Sequence, residues 1–267
     1  MTPILNFLIE FLLIYTKYLE KKNIYYIVAS SDIARSLNLE DFKILHPPLR
    51  NEEKFSKICK NKLENISYKS SKTLKKDIVF SVVGNFTEGK GQLEFLNYIK
   101  TCDFIEKDYN ILIQFFGNSL NRHEAYENRL HKTSEQLREK FSNLQIHFFN
   151  DGFKNTAPYC KSDVVLVCSK KEGFSTVFFE AIASGSLLLT KPVSGCTDLE
   201  AYCKNCNLSN YFVKFEDFSE LTLENIFAAQ NKRKISDHHL IVDFINQFCG
   251  KMNFSKKITE IYNWTDV

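Results

Sequence analysis

The chain has 267 residues, of which 44% are hydrophobic and 25% charged, an ordinary globular composition that can bury a full core in one large domain or one and a half smaller ones. A formal net charge of +3, from 35 basic and 32 acidic residues spread along the chain, leaves no electrostatic footprint for nucleic acid, and a polyanion partner is not expected. Eight cysteines at irregular spacing, among them Cys168 in VVLVCS and Cys249 in INQFCG, read as reduced, packed thiols rather than a disulfide framework, which points to a reducing compartment.

The first segment, MTPILNFLIEFLLIYTKYL, is apolar from Ile4 to Tyr15 but is broken by Asn6 and Glu10. It falls short of the roughly 18 uncharged residues of a spanning helix and lacks the basic start of a signal peptide. A buried or interfacial helix is expected, with Thr2 and Pro3 at its start and Lys21, Lys22 and Asn23 at its end. Next come candidate strands at 25–30, 77–84, 111–117, 144–149, 163–168, 186–190 and 211–215. Helical patterns start near Gly91, Arg122, Thr156, Phe174, Thr197, Leu221 and Ser236, with a last one near Phe254. Continuous apolar strands alternating with helices predict an α/β class, a doubly wound parallel sheet covered on both faces. Residues 51–76 are polar and lysine-rich and read as a linker.

In an open parallel sheet, ligands sit beyond the carboxyl ends of the strands, so chemistry is sought in those loops. After the strand at 77 comes GNFTEGKGQLEFL, with Gly84, Asn85, Gly89, Lys90 and Gly91 ahead of a helix. Glycines allow close backbone approach, and a lysine beside a helix N-terminus suits phosphate; a plain glycine turn with a solvated lysine gives the same pattern. The loop is neither a Walker loop nor a GxGxxG fingerprint. After DVVLVC, SKKEGFST delivers Glu172 and Gly173 before a helix starting near Phe174 or Ser175, leaving the amides of Ser175 and Thr176 free to face a diphosphate. On that helix Phe174, Val177, Phe178, Ala181 and Ile182 form one apolar stripe, and Glu180 falls on its flank with Thr176, Ala183 and Ser184. Glu180 therefore either pairs with a group inside the fold or accepts the two hydroxyls of a ribose.

The run EGFSTVFFEAIASG resembles the E-x7-E signature of retaining glycosyltransferases with the GT-B fold, of the group 1, family 4-like kind. VVGNFTEGKGQLEFL is similar to their first glycine-lysine loop, KPVSGCTDLEAY to the loop after the signature, and NFSKKITEIYNW to the closing helix, so that the likeness runs over about residues 24–264. The resemblance implies a Rossmann-like C-terminal, donor-binding domain at 77–250, a closing helix at 251–267, and only a remnant of the N-terminal domain at 1–50: a helix, a strand and the connecting loop SSDIARSLNLEDFKILHPPL. By it, Glu180 holds the ribose of a nucleotide sugar and Glu172 contacts the transferred sugar with the backbone of Gly173 and Phe174. Lys90 faces the diphosphate, beside Gly84, Asn85 and Gly91, while Ser175 and Thr176 complete the donor site. Glu172 and Lys90 are the expected catalytic residues. The donor is a substrate; no cofactor and no metal is implied, since a lysine and a helix N-terminus can stabilise the leaving diphosphate and no DxD motif occurs.

Two departures from the family pattern follow. Asn85 stands where the family commonly has an arginine, and most of the acceptor half is missing. The chain is then a fragment, a part that works with a separate N-terminal partner, or a non-catalytic subunit that binds nucleotide sugar without transferring it. With its covering sheet absent, the N-terminal helix would expose Leu8, Phe11, Leu12 and Tyr15 to a partner chain or a membrane surface; the expected location is cytoplasmic, peripheral at a membrane if that face docks there. CKNC at 203–206 is a lone CxxC, and His46, His147, His238 and His239 have no motif-placed nucleophile, so these residues read as structural.

Overall fold

A computed structural model of the chain describes residues 26–40, 42–69, 76–101, 105, 109–118, 123–150 and 156–265. The expected N-terminal apolar helix lies outside the described residues. Six strands, β3 (Lys76–Val83), β4 (Tyr109–Phe116), β5 (Leu144–Phe149), β6 (Val164–Val167), β7 (Leu187–Thr190) and β8 (Phe212–Lys214), form a sheet in the order β5-β4-β3-β6-β7-β8. Every neighbouring pair is parallel. The winding reverses between β3 and β6, so the crevice at the carboxyl ends of these two strands is the topological switch point.

The central strands β6 and β7 are largely apolar and buried throughout because both faces of the sheet are covered there, whereas the edge strand β5 alternates, with Gln145, His147 and Phe149 exposed. Val164 and Leu166 of β6 join one buried cluster while Val165 and Val167 join the other. The first cluster takes Phe95, Leu96 and Ile99 from α3 (Gln92–Thr101), Leu130 and Leu137 from α4 (Glu124–Lys140), and Ile226 from α8 (Leu223–Asn231). The second is built from α2 (Glu52–Lys69), α6 (Thr176–Ala183), α7 (Cys196–Asn205) and α9 (His238–Phe244), with Phe55, Phe178, Leu199 and Phe244 at its centre. Each such side chain contributes about 1.5–3 kcal/mol by leaving water. α10 (Lys251–Thr265) closes the chain as expected.

Two expectations are corrected. The segment read as a linker at 51–76 is largely helix α2. Its Phe55, Ile58, Cys59 and Leu63 are buried at the i, i+3, i+4, i+8 spacing of one helix face, a stripe so narrow that the surrounding lysines mask it. Lys62 of α2 also donates to the Ser162 carbonyl at 2.7 Å and to Ser186 Oγ at 2.6 Å, fastening the helix beneath the sheet. The stretch read as a connecting loop contains α1 (Ser31–Ser36) and β2 (Phe42–Ile44), the latter pairing in parallel with β1 (Tyr26–Val28). Ser30 caps α1 through its hydroxyl, which accepts from the Ile33 amide at 3.3 Å.

This small βαβ unit is clasped to the larger sheet by reciprocal helix capping. The Asp198 carboxylate in the first turn of α7 accepts from the Ser31 amide at 2.9 Å and from Ser31 Oγ at 2.5 Å. Asp32 of α1 in turn accepts from the Gly195 amide, at the N-cap of α7, at 2.8 Å. Carboxylates satisfying orphan N–H groups are favoured by the helix dipoles as well. His46 completes the junction: it is buried, its Nε2 meets the Tyr202 hydroxyl at 2.9 Å, and its ring lies 4.0 Å from that of Phe174.

Candidate functional site

The loop after β3 carries Gly84 and Asn85, and both of their carbonyls accept from the buried amide of Gln92, at 3.2 and 3.0 Å. Gln92 Oε1 accepts in turn from the Tyr126 hydroxyl at 3.1 Å. Gln92, which no motif marks, thus stiffens the glycine loop from below. Residues Glu88–Lys90 make a 3-10 turn that ends on Gly91 in the left-handed region, φ 70°. A Cβ on Gly91 would lie 2.3 Å from the Cys168 carbonyl oxygen, so only glycine lets this loop lie against the loop after β6. The Lys170 amide donates to the Gly89 carbonyl at 2.9 Å, joining the two loops directly.

That junction brings Lys90 to Glu172. Lys90 Nζ stands 2.5 Å from Glu172 Oε1, and Ser169 Oγ donates to the same oxygen at 2.6 Å. Both partners are partly buried, so the pair is less screened than a surface bridge. Gly173 follows, exposed, its carbonyl accepting from Ser30 Oγ at 3.4 Å. The Phe174 ring turns inward against Phe179 at 4.9 Å and fills the space above Gly195, where a Cβ would strike it at 2.5 Å. Ser175 is the N-cap of α6, with Thr176 the first helical residue. The amides of Gly173, Phe174, Ser175 and Thr176 make no hydrogen bond among the described residues, which leaves a set of donors at the positive end of a helix.

Glu180 has a partner inside the fold, the first of its two sequence readings. Its Oε2 accepts from the buried Tyr159 hydroxyl at 2.5 Å, an internal partner on α5 (Ala157–Cys160). The residue nevertheless lines an open cleft of about 270 Å³ with Arg50, Thr176 and the ring of Tyr159. Burial raises the Glu180 carboxyl above its ordinary range, against the opposing effects of the Tyr159 hydrogen bond and the Arg50 charge. Tyr159 is pushed well above the usual phenol range, first by burial and then by the neighbouring carboxylate. Glu172 lines a second cleft of about 400 Å³, with Asp32, Ser36, Ser194, Thr197 and Lys214 around it.

All ten sequence-derived site positions therefore gather at the switch point, in two groups: Lys90 with Glu172, and Thr176 with Glu180. Tyr159 and Arg50 were not legible as site residues because they reach the Glu180 cleft from other segments of the chain, and Ser169 and Gln92 because no motif marks them. Phe149, at the carboxyl end of β5, is stacked on Phe116 at 4.7 Å. Cys203 and Cys206 of the CxxC are buried and free, and burial pushes the Cys203 thiol up to about 12. No helix among the described residues is long and apolar enough to cross a membrane.

The family model for glycosyl transferases group 1 matches residues 64–217, more than half of the chain. A comparison with curated proteins finds no match. Among solved structures, a glycosyltransferase from Rickettsia africae is similar at 17% identity and a TM-score of 0.64, with 93% of this chain and 66% of that one covered. Sucrose-phosphate synthase from Thermosynechococcus elongatus is similar at 14% identity and a TM-score of 0.61, covering 95% and 61%. The Anabaena protein HepE, solved in complex with UDP and glucose, is similar at 14% identity and a TM-score of 0.60, covering 89% and 62%. The chain thus spans about three fifths of the length of such structures. The matched region holds the glycine-lysine loop, both glutamates and the switch point they surround, and the chain belongs to the glycosyl transferases group 1 family.

Proposed function

We propose that the chain is the donor-binding part of a retaining glycosyltransferase, holding a nucleoside diphosphate sugar for transfer to a glycan or lipid acceptor without a divalent ion. The observation that carries this reading is the convergence, at one switch point, of a lysine–glutamate pair, four free helix-end amides and a second carboxylate in an adjoining cleft. Glu180, with Tyr159 on one oxygen, keeps acceptor capacity for ribose hydroxyls. The amides of Gly173 to Thr176 and Lys90 receive the diphosphate, and Glu172 accepts hydroxyls of the sugar. When the bond from the sugar to the diphosphate breaks, the leaving oxygen gains negative charge; Lys90 and the helix end are already oriented to stabilise it.

A second reading, a subunit that binds nucleotide sugar without transferring it, is supported by Asn85 in the loop. The titration that tests donor binding uses UDP, GDP, ADP and UDP-glucose in the presence of EDTA, with Glu180→Ala and Lys90→Ala as comparisons. Binding that persists with EDTA and weakens by about tenfold or more in each variant is expected. A folded wild-type chain that binds none of the four contradicts the donor site. A wild-type chain that binds but produces no transfer when supplied with glycan and lipid acceptors favours the second reading.

A further inference from the structure

The cleft beside Glu180 carries one charge of each sign. Among the residues that line it, Glu180 is the one anion and Arg50 the one cation, and the remainder are chiefly apolar, including Pro47, Pro48 and Tyr159. Arg50 is held in place by a turn pinned on both sides. Before it, Leu49 is buried and its amide donates to the Cys249 carbonyl at 2.7 Å. After it, Asn51 adopts the left-handed region at φ 58°, and its carbonyl receives the Lys54 and Phe55 amides at 3.0 and 3.2 Å to start α2. A non-glycine residue in that region is a specific backbone feature rather than a default, and it fixes where the arginine emerges.

Its charge is also uncommitted. Lys90, Lys170, Lys214 and Arg129 each have a carboxylate partner within 4 Å, whereas Arg50 forms no ion pair among the described residues. It acts on Glu180 through its field without closing on it. Lys90, the cation of the glycine loop, already shares its charge with Glu172 at 2.5 Å. A nucleoside diphosphate entering here carries at least two negative charges into a site whose own lysine is half neutralised. A guanidinium meets phosphate oxygens with paired, charge-assisted hydrogen bonds that a lone ammonium cannot make.

We propose that Arg50 is a donor-binding residue that meets the diphosphate from the turn before α2, so that the phosphate charge is held by two cations, Lys90 and Arg50. This rests on the donor-site reading above and extends it to a residue outside the matched family region, since that region begins at residue 64. The test compares wild type, Arg50→Ala and Arg50→Lys against UDP, GDP and ADP and against the three corresponding nucleosides. Calorimetry reads the diphosphates, ligand-observed NMR reads the nucleosides, and circular dichroism melting checks the fold. Arg50→Ala is expected to weaken the best-bound diphosphate by about tenfold or more while leaving its nucleoside unchanged, and Arg50→Lys to recover part of the loss. Unchanged diphosphate affinity in Arg50→Ala overturns the proposal, as does an equal loss for nucleoside and diphosphate. A wild-type chain that binds no diphosphate removes the donor site itself, and this proposal with it.

Discussion

At the scale of single residues, the site depends on the packing of two glycines and one phenol. Gly91 combines φ 70° with a Cβ position 2.3 Å from the Cys168 carbonyl, so Gly91→Ala must push the glycine loop off the loop after β6. A loss on the order of 2 kcal/mol or more is expected in urea unfolding, together with weaker donor binding as Lys90 leaves Glu172. Gly195→Ala acts in the same way on the Phe174 ring, which it would meet at 2.5 Å. Tyr159→Phe removes the hydroxyl that Glu180 accepts and should cost about 1–3 kcal/mol where Glu180 is ionised. The sign follows from linkage. The hydroxyl favours the carboxylate, so its removal raises the folded-state value of Glu180 further, and the variant falls behind wild type as pH rises and converges with it in acid. Stability curves that stay parallel across pH would contradict the pairing.

At the scale of elements, what the sequence made legible depended on how strongly each segment is buried. β6 and β7 stand out as apolar runs because both of their faces are covered, and α6 because its apolar stripe is wide. α2 did not stand out, since its buried face carries Phe55, Ile58, Cys59 and Leu63 against an exposed face that includes Lys54, Lys57 and Lys60. β2 is three residues long and has no pattern to read before its partner β1 is known. The two faces of α2 give a direct comparison: Phe55→Ala is expected to cost about 3–5 kcal/mol, whereas replacing Lys54, Lys57 and Lys60 together by Gln should change stability by no more than about 0.5 kcal/mol for each site. A tolerated Phe55→Ala, measured by thermal or urea unfolding, would return this segment to the status of a linker.

At the scale of the whole molecule, the small βαβ unit and the large sheet meet through α1, α7 and His46, and that junction titrates. Burial, aided by the Lys257 charge and opposed by Asp198, lowers His46 from 6.5 to about 4. A histidine lowered in the folded state binds its proton more readily when unfolded. Its stability contribution is therefore complete above pH 6.5 and is lost as pH falls toward about 4. About 3 kcal/mol is at stake for a shift of this size, and the difference between wild type and His46→Phe in urea unfolding should change over that pH interval and be flat above it. Part of the site was readable in the sequence and part was not. Lys90, Glu172 and Glu180 belong to local motifs at loop and helix starts, whereas Tyr159 and Arg50 gain their positions from packing between segments far apart in the chain, and Ser169, three residues before Glu172, is marked by no motif. The most direct test of the donor site is a crystal structure of the chain soaked with UDP, the nucleotide found in the complex of the Anabaena protein. The expected result is a ribose on Glu180 and a diphosphate between Lys90 and the amides of Gly173 to Thr176. A nucleotide bound elsewhere, or none bound at saturating concentration, would contradict it.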